Sequence, residues 1–144
     1  MVKEEFQIIA KNYELAGRAS SAIKKKLKKL NIDRSLLKKI CGASYEAEIN
    51  VVIHSFGGYM TFEINDDHYI ELNIYDDGPG IKDINLAMTE GYSTATELDH
   101  INGFGAGMGM SNMKRLSDVM EVYSSESGTH IRLIFFIGEQ HETH

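Results

Sequence analysis

The chain has 144 residues, 42% hydrophobic and 25% charged, with a formal net charge of −6 at pH 7. These are the values of an ordinary soluble domain, and the charge argues against a general nucleic-acid surface. The lone cysteine, Cys41, allows no internal disulfide, and no apolar run approaches the roughly 20 residues of a membrane helix, so a cytoplasmic domain without membrane or nucleic-acid partners is expected.

In chain order, the N-terminal MVKEEFQII lacks the unbroken apolar stretch of a signal peptide, and residues 4–10 read as a short strand. Over residues 13–30 the positions Leu15, Ala19, Ala22, Ile23, Leu27 and Leu30 recur at helical spacing, and the lysines of KKKLKK read as its solvated face. Asp33 is placed to cap a second helix carrying Leu36, Leu37, Ile40, Ala43, Ala47, Val51 and Val52, which stops at Gly57-Gly58. Strands over 59–64 and 69–75 follow, joined by the turn Asn65-Asp66-Asp67. A short helix over 83–89, a glycine-rich loop to Gly109 and a third helix over 110–118 come next. A hairpin of 119–123 and 129–137 ends the chain. Hairpin-joined strands with helices in separate blocks predict a single α/β domain over residues 1–144, with helices on one face of an open sheet.

Three elements carry chemistry. Glu46-x-x-x-Asn50, followed by His54, puts a carboxylate and a carboxamide on one helix face. A carboxylate can deprotonate a nucleophile and an amide oxygen suits a hard cation, although the same spacing also fits an exposed polar stripe. Asp76-Asp77-Gly78-Pro79-Gly80-Ile81 directly follows the apolar run IELNIY. A carboxylate at that strand end can accept the exocyclic amine of adenine beside a backbone that glycine keeps slim; a structural turn is the plainer alternative. Gly103-Phe104-Gly105-Ala106-Gly107-Met108-Gly109 opens onto the helix SNMKRLSD. Free backbone N–H groups and a helix N-terminus suit a triphosphate, against the alternative of a flexible linker. The glycine spacing is that of neither a dinucleotide fingerprint nor a P-loop.

In this order the three elements resemble the N, G1 and G2 boxes of the gyrase, Hsp90, histidine-kinase and MutL ATPases, with Gly128-Thr129 similar to a further adenine-side element. The narrower stretch Tyr45–His54, with Gly91-Tyr92-Ser93-Thr94 and GMGMSNMKRL, is similar to the anti-sigma factor and switch kinases of bacterial stress modules. The resemblance implies a Bergerat-type two-layer α/β sandwich with a mixed, mostly antiparallel sheet and a glycine-rich ATP lid. It implies ATP and Mg²⁺ as cofactors and transfer of phosphate to a serine or threonine of a STAS-domain antagonist. A sigma factor or a phosphatase is implied as a further partner, and a homodimer stays open.

Residue by residue, the resemblance implies Glu46 as catalytic base, Asn50 as Mg²⁺ ligand, and Asp76 as adenine anchor with Gly78, Gly80 and Ile81 around it. Gly103, Gly105, Gly107, Met108 and Gly109 follow as the phosphate loop, and Thr129 as a contact on the adenine side. Arg18 stands where such kinases carry a partner-contacting arginine. The lid from Gly91 to Gly109 is longer than in the short switch kinases, with 94–102 as the extra stretch. Lys82, Lys114 and Arg115 are equal candidates for the cation that meets the γ-phosphate. Glu48 is a second carboxylate expected to point off the face of Glu46, and His54 reads as a helix-end polar residue. An ATP-gated binding regulator and the catalytic module of a sensor histidine kinase are the competing readings. Sensor kinases usually lack the glutamate at the first N-box position, so Glu46 favours turnover onto a hydroxyl.

Overall fold

Alternation of apolar and polar residues sorts the strands' side chains onto two faces before any tertiary contact is made. The computed structural model describes residues 2–65, 68–78, 88 and 109–137. Strands β1 (Val2–Ile8), β2 (Gly58–Asn65), β3 (Tyr69–Asp76), β4 (Val119–Ser125) and β5 (Gly128–Phe136) form one sheet in the order β1-β2-β3-β5-β4. Each neighbouring pair is antiparallel. Met60, Phe62, Ile70, Leu72, Ile74, Ile131, Leu133 and Phe135 on one face are buried and share a core with the helices. On the other face Tyr59, Tyr75, His130 and Tyr123 stack across four strands, with successive ring centroids 4.7, 4.2 and 5.6 Å apart.

Helix α1 (Arg18–Lys29) buries Ala19, Ile23 and Leu27, a four-residue repeat that lays one stripe on the core. It starts later than residue 13 because Gly17 adopts φ 92°, a left-handed conformation that interrupts the helix and leaves Leu15 exposed. Its lysines are solvated as expected, Lys26 pairing with Glu4. Strand β1 is likewise offset from residues 4–10: pairing with β2 ends at Ile8↔Gly58, and Lys11 turns the chain at φ 58°. The Lys11 N–H then donates to the Val52 carbonyl oxygen at 2.7 Å.

Helix α2 (Arg34–His54) begins at Asp33, whose Oδ2 accepts the N–H groups of Ser35 and Leu36 at 3.1 and 3.2 Å. It packs against α1, β3 and helix α3 (Gly109–Leu116). A Cβ on Gly42 would lie 3.1 Å from Leu116 Cδ1, so this glycine inside α2 lets α3 come close. The expected third helix of 110–118 thus ends two residues early. The expected helix over 83–89 lies outside the described residues except for Met88, as do Asp66, Asp67 and the lid up to Met108. Among the described residues no helix is long and apolar enough to cross a membrane.

The least foreseeable tie in the fold is Glu48. This side chain is only 3% exposed, and it crosses from α2 to the start of α1. Oε2 accepts the N–H groups of Gly17 and Ala19 at 3.0 and 3.2 Å, and Oε1 accepts that of Ser20 at 3.0 Å. The first N–H groups of a helix have no intrahelical acceptor, and a carboxylate there also meets the positive end of the dipole. Glu48→Ala is therefore expected to cost roughly 2–3 kcal/mol, and Glu48→Gln, which keeps one acceptor oxygen, about half of that. Urea midpoints of the two variants test this; an unchanged midpoint in Glu48→Ala would remove the cap from the account of stability.

Candidate functional site

Glu46 and Asn50 lie one turn apart on the part of α2 that faces α3, while Ala47 and Val51 beside them are buried in the core. Helix α3 begins directly against them. A Cβ on Gly109 would sit 3.5 Å from Glu46 Oε2 and 3.8 Å from Asn50 Oδ1, so the first residue of α3 presents bare backbone to both. Asn112 Nδ2 donates to Glu46 Oε1 at 3.1 Å, and Arg115 Nη2 donates to Asn112 Oδ1 at 2.9 Å. Asn50 Nδ2 reaches Met110 Sδ at 3.9 Å, which leaves its carbonyl oxygen as the stronger ligand atom.

One carboxylate, one amide oxygen and a helix N-terminus thus converge. Unpaired N–H groups and the dipole favour an anion at such an N-terminus. Among the described residues no cluster of three acidic, histidine or cysteine side chains could cage a metal by itself. The donor set fits Mg²⁺, which takes one or two protein oxygens and completes its octahedron with phosphate oxygens and water.

A second group forms at the end of β3. Asp76 Oδ1 accepts the N–H groups of Gly78 and Thr129, both at 3.0 Å. Among the described residues Oδ2 carries no hydrogen bond, so one carboxylate oxygen holds the turn and the other stays available to an N–H donor. The backbone around Asp76 is crowded. A Cβ on Gly58 would lie 1.9 Å from the Tyr75 carbonyl oxygen, and one on Gly128 would lie 2.1 Å from that of Asp76. Burial pushes the Asp76 carboxyl up from the ordinary aspartate range, against the lowering effect of the Gly78 and Thr129 N–H groups, and Asp77 adds to the rise. The segment that follows α2 is tied to this turn: Phe56 N–H donates to the Gly78 carbonyl at 2.8 Å and Asp77 N–H to that of Gly57 at 3.0 Å.

Of the residues singled out in the sequence, Glu46, Asn50 and Gly109 gather at the α2–α3 junction, and Asp76, Gly78 and Thr129 at the end of β3. Gly80, Ile81, Lys82, Gly103, Gly105, Gly107 and Met108 lie outside the described residues. Glu48 points away from Glu46 and caps α1, and Arg18 is exposed as the first residue of that helix. Lys114 lines a separate cleft of about 400 Å³ with Met88, Ser117, Asp118, Met120 and Val122, to which none of Glu46, Asn50 or Asp76 contributes. Asn112 was not foreseen: its signal, a carboxamide one turn past the last glycine, has meaning only once α3 lies on α2.

A sequence profile of the histidine kinase-, DNA gyrase B- and HSP90-like ATPases matches residues 35–139. An anti-sigma F factor of Heyndrickxia coagulans is 37% identical over 95 residues, 61% of this chain and 61% of that protein. One from Caldanaerobacter subterraneus is 33% identical over 98 residues, 65% of each. Each match thus spans less than two thirds of the relative's length. Among solved structures, the RsbU and RsbW domains of a Mycobacterium tuberculosis protein superpose with a TM-score of 0.62 at 16% identity, over 94% of this chain and 32% of that one. The mycobacterial sensor histidine kinase MprB superposes with a TM-score of 0.52 at 17% identity, over 94% of this chain and 97% of that one. At such identities the superpositions speak for the fold alone.

The environment of Asp76 has a measurable consequence. Its folded pKa is raised above the unfolded value. Ionising it therefore weakens the fold as pH rises through that raised value, and the penalty is absent below the unfolded pKa. Asp76→Asn keeps an oxygen for Gly78 and Thr129 and does not titrate. The variant is expected to gain stability relative to wild type as pH rises from the ordinary aspartate range, about pH 4, through the raised value above it. Urea midpoints across that range check this; a difference that does not change with pH counts against it.

Proposed function

Because the chain belongs to the histidine kinase-, DNA gyrase B- and HSP90-like ATPase family, we propose that it is an Mg-ATP-dependent protein serine/threonine kinase of the anti-sigma and switch-kinase type, acting in the cytoplasm on a STAS-domain antagonist. The observation that carries this reading is Glu46: a half-buried carboxylate with Oε2 turned to the start of α3, one turn from the amide oxygen of Asn50. The resemblance to anti-sigma F factors supports the partner class.

In this reading Asp76 Oδ2 accepts the exocyclic amine of adenine, and the backbone of Gly78 and Thr129 holds the carboxylate in place for it. The N–H groups opening α3 at Gly109 face the phosphates. Asn50 Oδ1 is the protein's ligand to Mg²⁺, which when bound neutralises phosphate charge. Glu46 accepts the proton of the incoming hydroxyl while that oxygen bonds to the γ-phosphorus and the bond to ADP breaks. Arg18, exposed at the start of α1, is the side chain offered to the partner.

Glu46→Gln keeps size and polarity but cannot take that proton. It is expected to bind ATP as wild type does, while transfer from γ-labelled ATP to the STAS protein encoded nearest its gene falls by about 10²–10⁴-fold. The anti-sigma names of the relatives also suit an ATP-gated binder with little turnover, which predicts no acid-stable phosphoprotein even from wild type. A histidine-kinase module would yield an acid-labile product instead. Asn50→Ala is expected to lower ATP affinity in Mg²⁺ by roughly 1–2 kcal/mol more than in EDTA, since it removes an oxygen assigned to the ion. Calorimetry giving equal losses in the two buffers would end that assignment.

A further inference from the structure

We propose that Asn112 is a positioning residue for Glu46, aimed by Arg115, so that the base of the proposed phosphotransfer is oriented from α3. This rests on the kinase reading above and adds to it a residue on α3.

Left to itself, Glu46 has conformational freedom. Its side chain is only half buried, and a glutamate on a helix surface otherwise samples several rotamers. A base has to present one oxygen at one place, and a misplacement of about 1 Å can cost on the order of 100-fold in rate. Among the described residues the hydrogen bond to Glu46 comes from Asn112 Nδ2, which donates to Oε1 at 3.1 Å. That bond leaves Oε2, the oxygen nearer the start of α3, to receive a proton.

The direction of the bond follows from Arg115. A guanidinium has donors only, so the amide atom 2.9 Å from Arg115 Nη2 has to be the oxygen of Asn112. The NH₂ group is thereby turned towards Glu46, where its N–H meets a carboxylate oxygen. Arg115 and Asn112 stand three residues apart on one face of α3, where such pairs meet. Glycines at Gly42 and Gly109 set how closely α3 approaches α2. Donor and base therefore sit on two packed helices and not on a loop, the arrangement that best preserves a geometry. Arg115, a candidate from its sequence position for the γ-phosphate cation, has a task here without touching nucleotide.

The test uses the full-length protein with Mg-ATP and the STAS protein encoded beside it, in single-turnover phosphotransfer, with fluorescent-ATP binding measured in parallel. Asn112→Leu removes the donor, and Asn112→Asp keeps the shape but offers no N–H. Both are expected to slow transfer about 10–100-fold, the usual effect of losing the group that orients a reacting one, with nucleotide affinity within about twofold of wild type. Thermal melting identifies a variant that fails to fold, in which case the other decides. In the Glu46→Gln background the same substitutions are expected to have no further effect, because there is no base left to orient. Wild-type rates in both variants, or an undiminished loss in the Glu46→Gln background, overturn the role of Asn112 and leave the kinase reading standing. Absence of transfer by the wild-type protein overturns the kinase reading and this inference with it.

Discussion

A buried carboxylate that serves structure and not chemistry organises the helical layer. Glu48 accepts three N–H groups at the start of α1 and so fixes where that helix begins and how it lies on α2. A buried charge is tolerable only when its lone pairs are satisfied, and three donors from one helix terminus do this while using the favourable end of its dipole. Glu46, two residues earlier, turns to the opposite side of α2. One helix therefore uses neighbouring glutamates for opposite ends, the first at the candidate site and the second for the scaffold, and the offset of two residues keeps them apart.

The end of β3 shows the same division inside one side chain. Asp76 commits Oδ1 to Gly78 and Thr129 and keeps Oδ2 out of those bonds. Gly58 and Gly128 take the close backbone approaches that this turn imposes, since a side chain at either would collide with a carbonyl oxygen. Burial makes the charged form of Asp76 costly, and such a cost at a strand end is more often kept for a ligand than for stability. The two groups are linked, because Phe56 and Gly57, which follow α2, hydrogen-bond to the turn that holds Asp76.

Helix α3 completes the site by proximity. Met110 and Met113 bury it in the core, Gly109 and Gly42 let it approach α2, and Asn112 and Arg115 use that approach to reach Glu46. Its first residue, Gly109, lies against Glu46 and Asn50.

Much of this was legible in the sequence, for local reasons. The strand alternation, the Asp33 cap, the four-residue spacing of Glu46 and Asn50, and the strand-end position of Asp76 follow from rules that act over a few residues. The sheet and its helical layer follow from those patterns, and the family follows from the order of the motifs. Tertiary structure decided everything that depends on a partner distant in the chain. Residues 13–17 have helical spacing but do not join α1, because Gly17 is left-handed, and its N–H donates to a glutamate 31 residues away. Glu48 is a spare carboxylate in the sequence and a helix cap in the fold. Asn112 and Glu46 are 66 residues apart, and no spacing rule connects them; only the packing of α3 on α2 brings an amide within hydrogen-bond reach of a carboxylate.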